Sequence, residues 1–158
     1  MRLPLNLLSL TLSMLPSALA VFADDAYAVD YHHELLGLPQ PHTTFFHRPR
    51  KEDKASLLYT LSDLGVLGAV HPGTGKVLWR QVLGAENGFL RPVEGENVVA
   101  SGAGQRVDAW DAMSGKEIWG NVFAGTVKDL EIMESAATDN APKHILALFE
   151  EDGKGVLR

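Results

Sequence analysis

Ala69-Val70-His71-Pro72-Gly73-Thr74-Gly75-Lys76-Val77-Leu78-Trp79 and Ala109-Trp110-Asp111-Ala112-Met113-Ser114-Gly115-Lys116-Glu117-Ile118-Trp119 align without a gap, forty positions apart. A unit of about forty residues that holds short strand-like runs and closes on Trp is the signature of a β-propeller blade. Each copy opens on a strand-compatible run, Val66 to Val70 or Val107 to Asp111. The chain then reverses where Thr74-Gly75 or Ser114-Gly115 supplies a hydroxyl and a residue free to take positive φ. The expected fold is all-β, a partial β-propeller of four-stranded antiparallel blades with Trp-docking repeats, preceded by a signal peptide.

Working outward, the first unit reads as strands near Thr43–His47, Ser56–Leu61, Gly65–Val70 and Val77–Val82. The second reads as Phe89–Val93, Asn97–Ala100, Arg106–Asp111 and Glu117–Phe123, with Glu94-Gly95-Glu96 as a tight turn. A third begins at Val127–Met133, crosses a polar loop at Ser135–Lys143, resumes at His144–Phe149 and turns at Glu151-Asp152-Gly153-Lys154. The organisation expected is a signal peptide over 1–20, an N-terminal segment over 21–42, blade 1 over 43–83, blade 2 over 84–124 and an incomplete blade 3 over 125–158. Propellers close with about four to eight blades, so the chain reads as the amino-terminal part of a longer protein.

A Trp side chain buries about 150–250 Å² and donates one indole N–H. Trp79 and Trp119 are therefore expected to pack between blades, with small Ala69 and Ala109 leaving room for them. The blade-docking set is Ala69, Thr74, Gly75, Trp79, Ala109, Asp111, Ser114, Gly115 and Trp119. Removing the Trp119 side chain, if so buried, is expected to cost about 3–5 kcal/mol.

Bulk properties constrain function without deciding it. The 158 residues are 46% hydrophobic with a net charge of −6, a balance that argues against a nucleic-acid backbone as partner. There is no cysteine, hence no disulfide framework. Arg2 precedes an apolar run from Leu3 to Leu15, and Pro16-Ser17-Ala18-Leu19-Ala20 offers an Ala-x-Ala cleavage site. The run is shorter than the roughly 20 apolar residues of a bilayer crossing. Cleavage after Ala20, or after Ala23, would deliver the remainder to a lumenal or extracytoplasmic compartment.

The stretch after that site, Val21-Phe22-Ala23-Asp24-Asp25-Ala26-Tyr27-Ala28-Val29-Asp30-Tyr31-His32-His33-Glu34-Leu35-Leu36-Gly37, precedes the Thr-Gly-Lys-x-x-Trp-Arg hairpin. With that hairpin it resembles the subunit 1 family of the endoplasmic reticulum membrane protein complex, in a fungal form, with quinoprotein-type repeats. The resemblance implies a lumenal propeller module of a complex that inserts transmembrane segments of client proteins. It also implies membrane anchoring through a helix downstream of this stretch, other complex subunits and client membrane proteins as partners, and no cofactor. His71 stands where the repeat usually carries Asp, so the first turn is expected to be less well pinned than the second. Val29–Gly37 is expected to give a strand to the last blade and help close the ring.

The Trp repeat alone is shared with pyrroloquinoline-quinone dehydrogenases and with lumenal unfolded-protein sensors. The former hold cofactor and calcium on the ring axis. The latter bind extended chains by strand addition.

Other motifs reduce to structure. Pro72-Gly73-Thr74-Gly75-Lys76 and Ser114-Gly115-Lys116 evoke a phosphate loop, but Val70 and Trp110 replace its first Gly, and Val77 and Glu117 its Ser or Thr. Gly102-Ala103-Gly104-Gln105-Arg106-Val107 lacks the third Gly of a dinucleotide fingerprint. His32-His33, His42 and His47 have no zinc-protease spacing. Glu94 with Glu96, and Glu150-Glu151-Asp152, flank turns as solvated charge. Arg48-Pro49-Arg50-Lys51 is offset by Glu52-Asp53. No catalytic, cofactor-binding or metal-ligating residue is expected.

Overall fold

The computed structural model describes residues 36–50, 52–53, 55–134 and 142–158. The expected signal peptide, the acidic-aromatic opening and most of the ring-closing and polar-loop segments lie outside the described residues. Within them the chain is all-β, with no helix.

Eleven strands follow in order: β1 Pro39–His47, β2 Leu57–Ser62, β3 Val66–His71, β4 Lys76–Val82, β5 Phe89–Val93, β6 Val98–Ala103, β7 Arg106–Asp111, β8 Glu117–Val122, β9 Thr126–Glu134, β10 Lys143–Glu151 and β11 Lys154–Leu157. They form three meanders: the four-stranded sheets β1-β2-β3-β4 and β5-β6-β7-β8, and the three-stranded sheet β9-β10-β11. All pairings are antiparallel. The first strands of adjacent sheets approach one another, β1 against β5 and β5 against β9. The sheets therefore converge at their first strands, the geometry of blades set around a hub. The fold is a partial β-propeller.

Alternation along each strand gives the second sheet two apolar faces, one toward each neighbour. Leu57, Tyr59, Leu61, Leu67 and Trp79 of the first sheet meet Leu90, Val99 and Trp110 of the second in one buried cluster. On the opposite face of the second sheet, Ala100 and Val107 meet Val127, Leu130, Ala147 and Phe149 of the third. Neighbours Val99 and Ala100 thus serve opposite seams, as the two-residue period of a strand requires.

The strand runs read from sequence recur with two differences. β1 begins at Pro39 rather than Thr43, with an irregular register between Pro39 and Thr44 and His42 at φ +66°. β6 continues through Ser101-Gly102-Ala103, beyond the Asn97–Ala100 run read from sequence. Gly102 is in strand because the third sheet lies close: a Cβ there would sit 3.0 Å from Val127 Cγ1.

Candidate functional site

The chemistry-bearing side chains gather in the seams between sheets. Register places Phe45, Tyr59, Ala69 and Trp79 in one row across the first sheet. Tyr59 stacks on Phe45 at 5.8 Å and meets Trp79 at 6.0 Å, centroid to centroid. Ala69 lies directly opposite Trp79 and adds no bulk. One residue earlier the pairing skips Leu78, a bulge that turns the strand just before the Trp. Ile118 is skipped identically before Trp119.

The second sheet receives this row with a turn. The indole N–H of Trp79 and the hydroxyl of Tyr59 both donate to the carbonyl oxygen of Ala112, each at 2.9 Å. A carbonyl oxygen has two lone pairs, so both bonds are accommodated. Gln81 Nε2 donates to the Gly115 carbonyl at 2.8 Å. Gly115, at φ +69°, lies flat under the indole. Burial pushes the Tyr59 phenol well above its ordinary value, keeping it a donor.

The turn is held by Asp111. Its Oδ1 accepts from the backbone N–H of Ser114 at 2.8 Å and from the Ser114 hydroxyl at 2.7 Å, and its Oδ2 accepts from Asn97 Nδ2 at 2.6 Å. Partial burial opposes the charge, but the Ser114 and Met113 hydrogen bonds keep the carboxyl below its usual range. In the first sheet, Gly75 N–H reaches the His71 carbonyl at 2.8 Å and Lys76 N–H reaches Thr74 Oγ1 at 3.4 Å. His71 itself contributes no side-chain bond, and its buried Nδ1 has no partner among the described residues. Replacing His71 with Asp is therefore expected to add the missing turn bonds. A gain of about 1 kcal/mol should appear as a higher melting temperature of the chain.

The second row departs from the first. Its members are Arg91, Ala100, Ala109 and Trp119. Among the described residues Trp79 is 9% exposed and Trp119 45% exposed, and Trp119 stands on the face of the second sheet that is turned to the third. Trp79 rests on the turn joining the third and fourth strands of the next sheet. Among the described residues the third sheet has three strands, and a turn placed as Ala112–Gly115 is for Trp79 is not among them. Ala100 in the place of Tyr59 also leaves the flank of Trp119 bare.

This second seam is held by an ion pair at the first strands and by contacts further out. Arg91 Nη2 lies 3.0 Å from Glu131 Oε1 and 3.7 Å from Asp129 Oδ1. Val127 N–H donates to the Gly104 carbonyl at 2.7 Å, and Phe123 meets Phe149 at 5.1 Å.

Sequence reading missed Tyr59, Gln81, Ala112 and Arg91. The available signal was alternation: each lies in a short run on the same face as a Trp of the repeat or on the turn that receives one. Trp110, read only against the phosphate-loop pattern, is buried and donates its indole N–H to Ser101 Oγ at 2.8 Å. Among the described residues no group of three or more His, Cys, Asp or Glu is placed to hold a metal ion.

A comparison with curated proteins found no match. A family model described as the EMC1 N-terminal beta-propeller domain matches residues 20–154. That span takes in both seams, from the Phe45–Trp79 row to Phe149, and so covers the packing that defines the fold. The chain belongs to the EMC1 N-terminal beta-propeller domain family.

Proposed function

We propose that this chain is a non-catalytic scaffold module of the endoplasmic reticulum membrane protein complex. It would act on the lumenal side, after removal of residues 1–20, in a complex that inserts transmembrane segments of client proteins. Its partners would be other subunits and client membrane proteins, with anchoring through a downstream helix and with no nucleic acid or cofactor. The observation that carries this reading is the family match across residues 20–154. The use of the polar side chains supports it: Tyr59, Trp79, Gln81 and Asp111 are engaged in holding blades and turns together. The loops at the strand ends remain as the surface available to partners.

Affinity purification of the full-length protein from membranes is expected to recover a stoichiometric multi-subunit complex. Recovery as a lone chain, with a bound quinone, or as oligomers formed only under folding stress would each overturn the reading.

A further inference from the structure

We propose that the cleft where the end of β1 meets the β5–β6 turn is a docking site for an extended segment of a partner protein that carries an acidic, an aromatic and a basic residue close together. The cleft holds about 410 Å³ and is lined by Phe46, Arg48, Ser56, Pro92 and Glu94 among others, a size that ordinary ligand clefts share. Its sides come from different blades and are fixed to one another. His47 Nε2 lies 3.0 Å from the Glu96 carbonyl oxygen, and Lys143 of the third sheet donates to the Glu94 carbonyl. Pro49, fully buried, anchors the chain just past Arg48. A cleft so held is preorganised, which lowers the ordering cost of binding.

Three side chains on the cleft are not used by the fold. Phe46 is 64% exposed. Its neighbours Phe45 and His47 lie against Tyr59, at 5.8 and 5.9 Å between centroids, and strand alternation leaves Phe46 on the other side. Arg91, Arg106 and Arg158 each hold a carboxylate, whereas neither Arg48 nor Glu94 makes an ion pair among the described residues. Those three select the occupant by charge complementarity. Arg48 follows β1 of the first sheet and Glu94 follows β5 of the second, so opposite charges line the two sides, with Phe46 and Pro92 as the apolar lining between blades. A purely anionic ligand, such as phosphate or an acidic lipid headgroup, is repelled by Glu94. A peptide with an acid for Arg48, a base for Glu94 and an aromatic ring for Phe46 and Pro92 satisfies both sides. Pro92 lies within β5 and has no N–H, so the segment is read by side chains rather than added to that edge as a strand. Such binding goes beyond the scaffold reading and does not rest on it: peptide capture and recovery of a complex can each fail alone.

Calorimetric titration of the full chain with the end-blocked peptide Gly-Asp-Phe-Lys-Gly tests this. Saturable binding is expected, with a Kd of about 0.1–1 mM for so small a contact. Arg48→Glu should weaken it about tenfold or more and should instead bind Gly-Lys-Phe-Lys-Gly, which the wild type rejects. Phe46→Ser should weaken Gly-Asp-Phe-Lys-Gly without lowering the melting temperature. Should Arg48→Glu fail to fold, Glu94→Lys with Gly-Asp-Phe-Asp-Gly asks the same question from the other side of the cleft. No saturable binding by the wild type, or affinities that ignore these charge reversals, overturns the proposal. So does capture of inorganic phosphate or of anionic phospholipid vesicles in place of the peptide.

Discussion

Replacing Trp79 with Ala should destabilise the chain by about 3–5 kcal/mol, the range for removing a large buried aromatic. A chain of this size shifts its melting temperature by roughly 2–4 °C per kcal/mol, so the loss is easily read by calorimetry. Three contributions disappear together: contact with Tyr59, the hydrogen bond to Ala112 and the cover over Gly115. Trp79→Phe separates them by keeping most of the packing while leaving the Ala112 carbonyl with Tyr59 alone, at a cost of about 1–2 kcal/mol from the lost bond. Trp119→Ala is the internal control. Its ring is 45% exposed, so a smaller loss of about 2–3 kcal/mol is expected from the area it still covers. A melt that moved equally for both Trp variants would contradict the seam geometry.

That contrast marks where sequence stops being informative. Blade architecture was legible because strand alternation, turn glycines and the closing Trp are local signals, and local signals recur unchanged in both copies. Burial of a particular ring depends on what the neighbouring sheet brings to it. Identical motifs at Trp79 and Trp119 thus differ in burial among the described residues, where an Asp-pinned turn covers the first ring and a sheet of three strands neighbours the second. His71 shows the converse. Its departure from Asp is visible in a single letter, and the loss of the turn bonds that Asp111 makes follows directly.

The hub ends of the seams were less legible. His47 and Arg91 sit in runs that read simply as strand, and nothing in their spacing announces a partner 49 or 40 positions away. Those pairings come from the sheets converging at their first strands, a tertiary consequence of blade packing. The start of β1 was missed for a related reason. His42 at positive φ breaks the two-residue period, so Pro39–His42 does not scan as strand although Pro39 pairs with Ser62.

Gly115→Ala should be strongly damaging for a change that adds a single methyl. Two independent penalties coincide there. At φ +69° a side chain is strained, a cost of about 1–2 kcal/mol for a non-glycine residue. The added Cβ would also lie 2.4 Å from Trp79 Cδ2, and relieving such overpacking typically costs about 1–3 kcal/mol. The ring cannot simply retreat, because its N–H and the Tyr59 hydroxyl converge on Ala112 three residues earlier. A total of roughly 2–5 kcal/mol is expected, with Trp79 fluorescence shifting to the red as the seam loosens. Gly153→Ala is the matched comparison, since Gly153 has φ +73° but nothing within 4 Å of its added Cβ. It should show the backbone strain alone, about 1–2 kcal/mol. If the two variants unfolded at the same urea concentration, the close contact between Gly115 and the indole would contribute nothing, and the filled seam would not be the joint that holds these blades together.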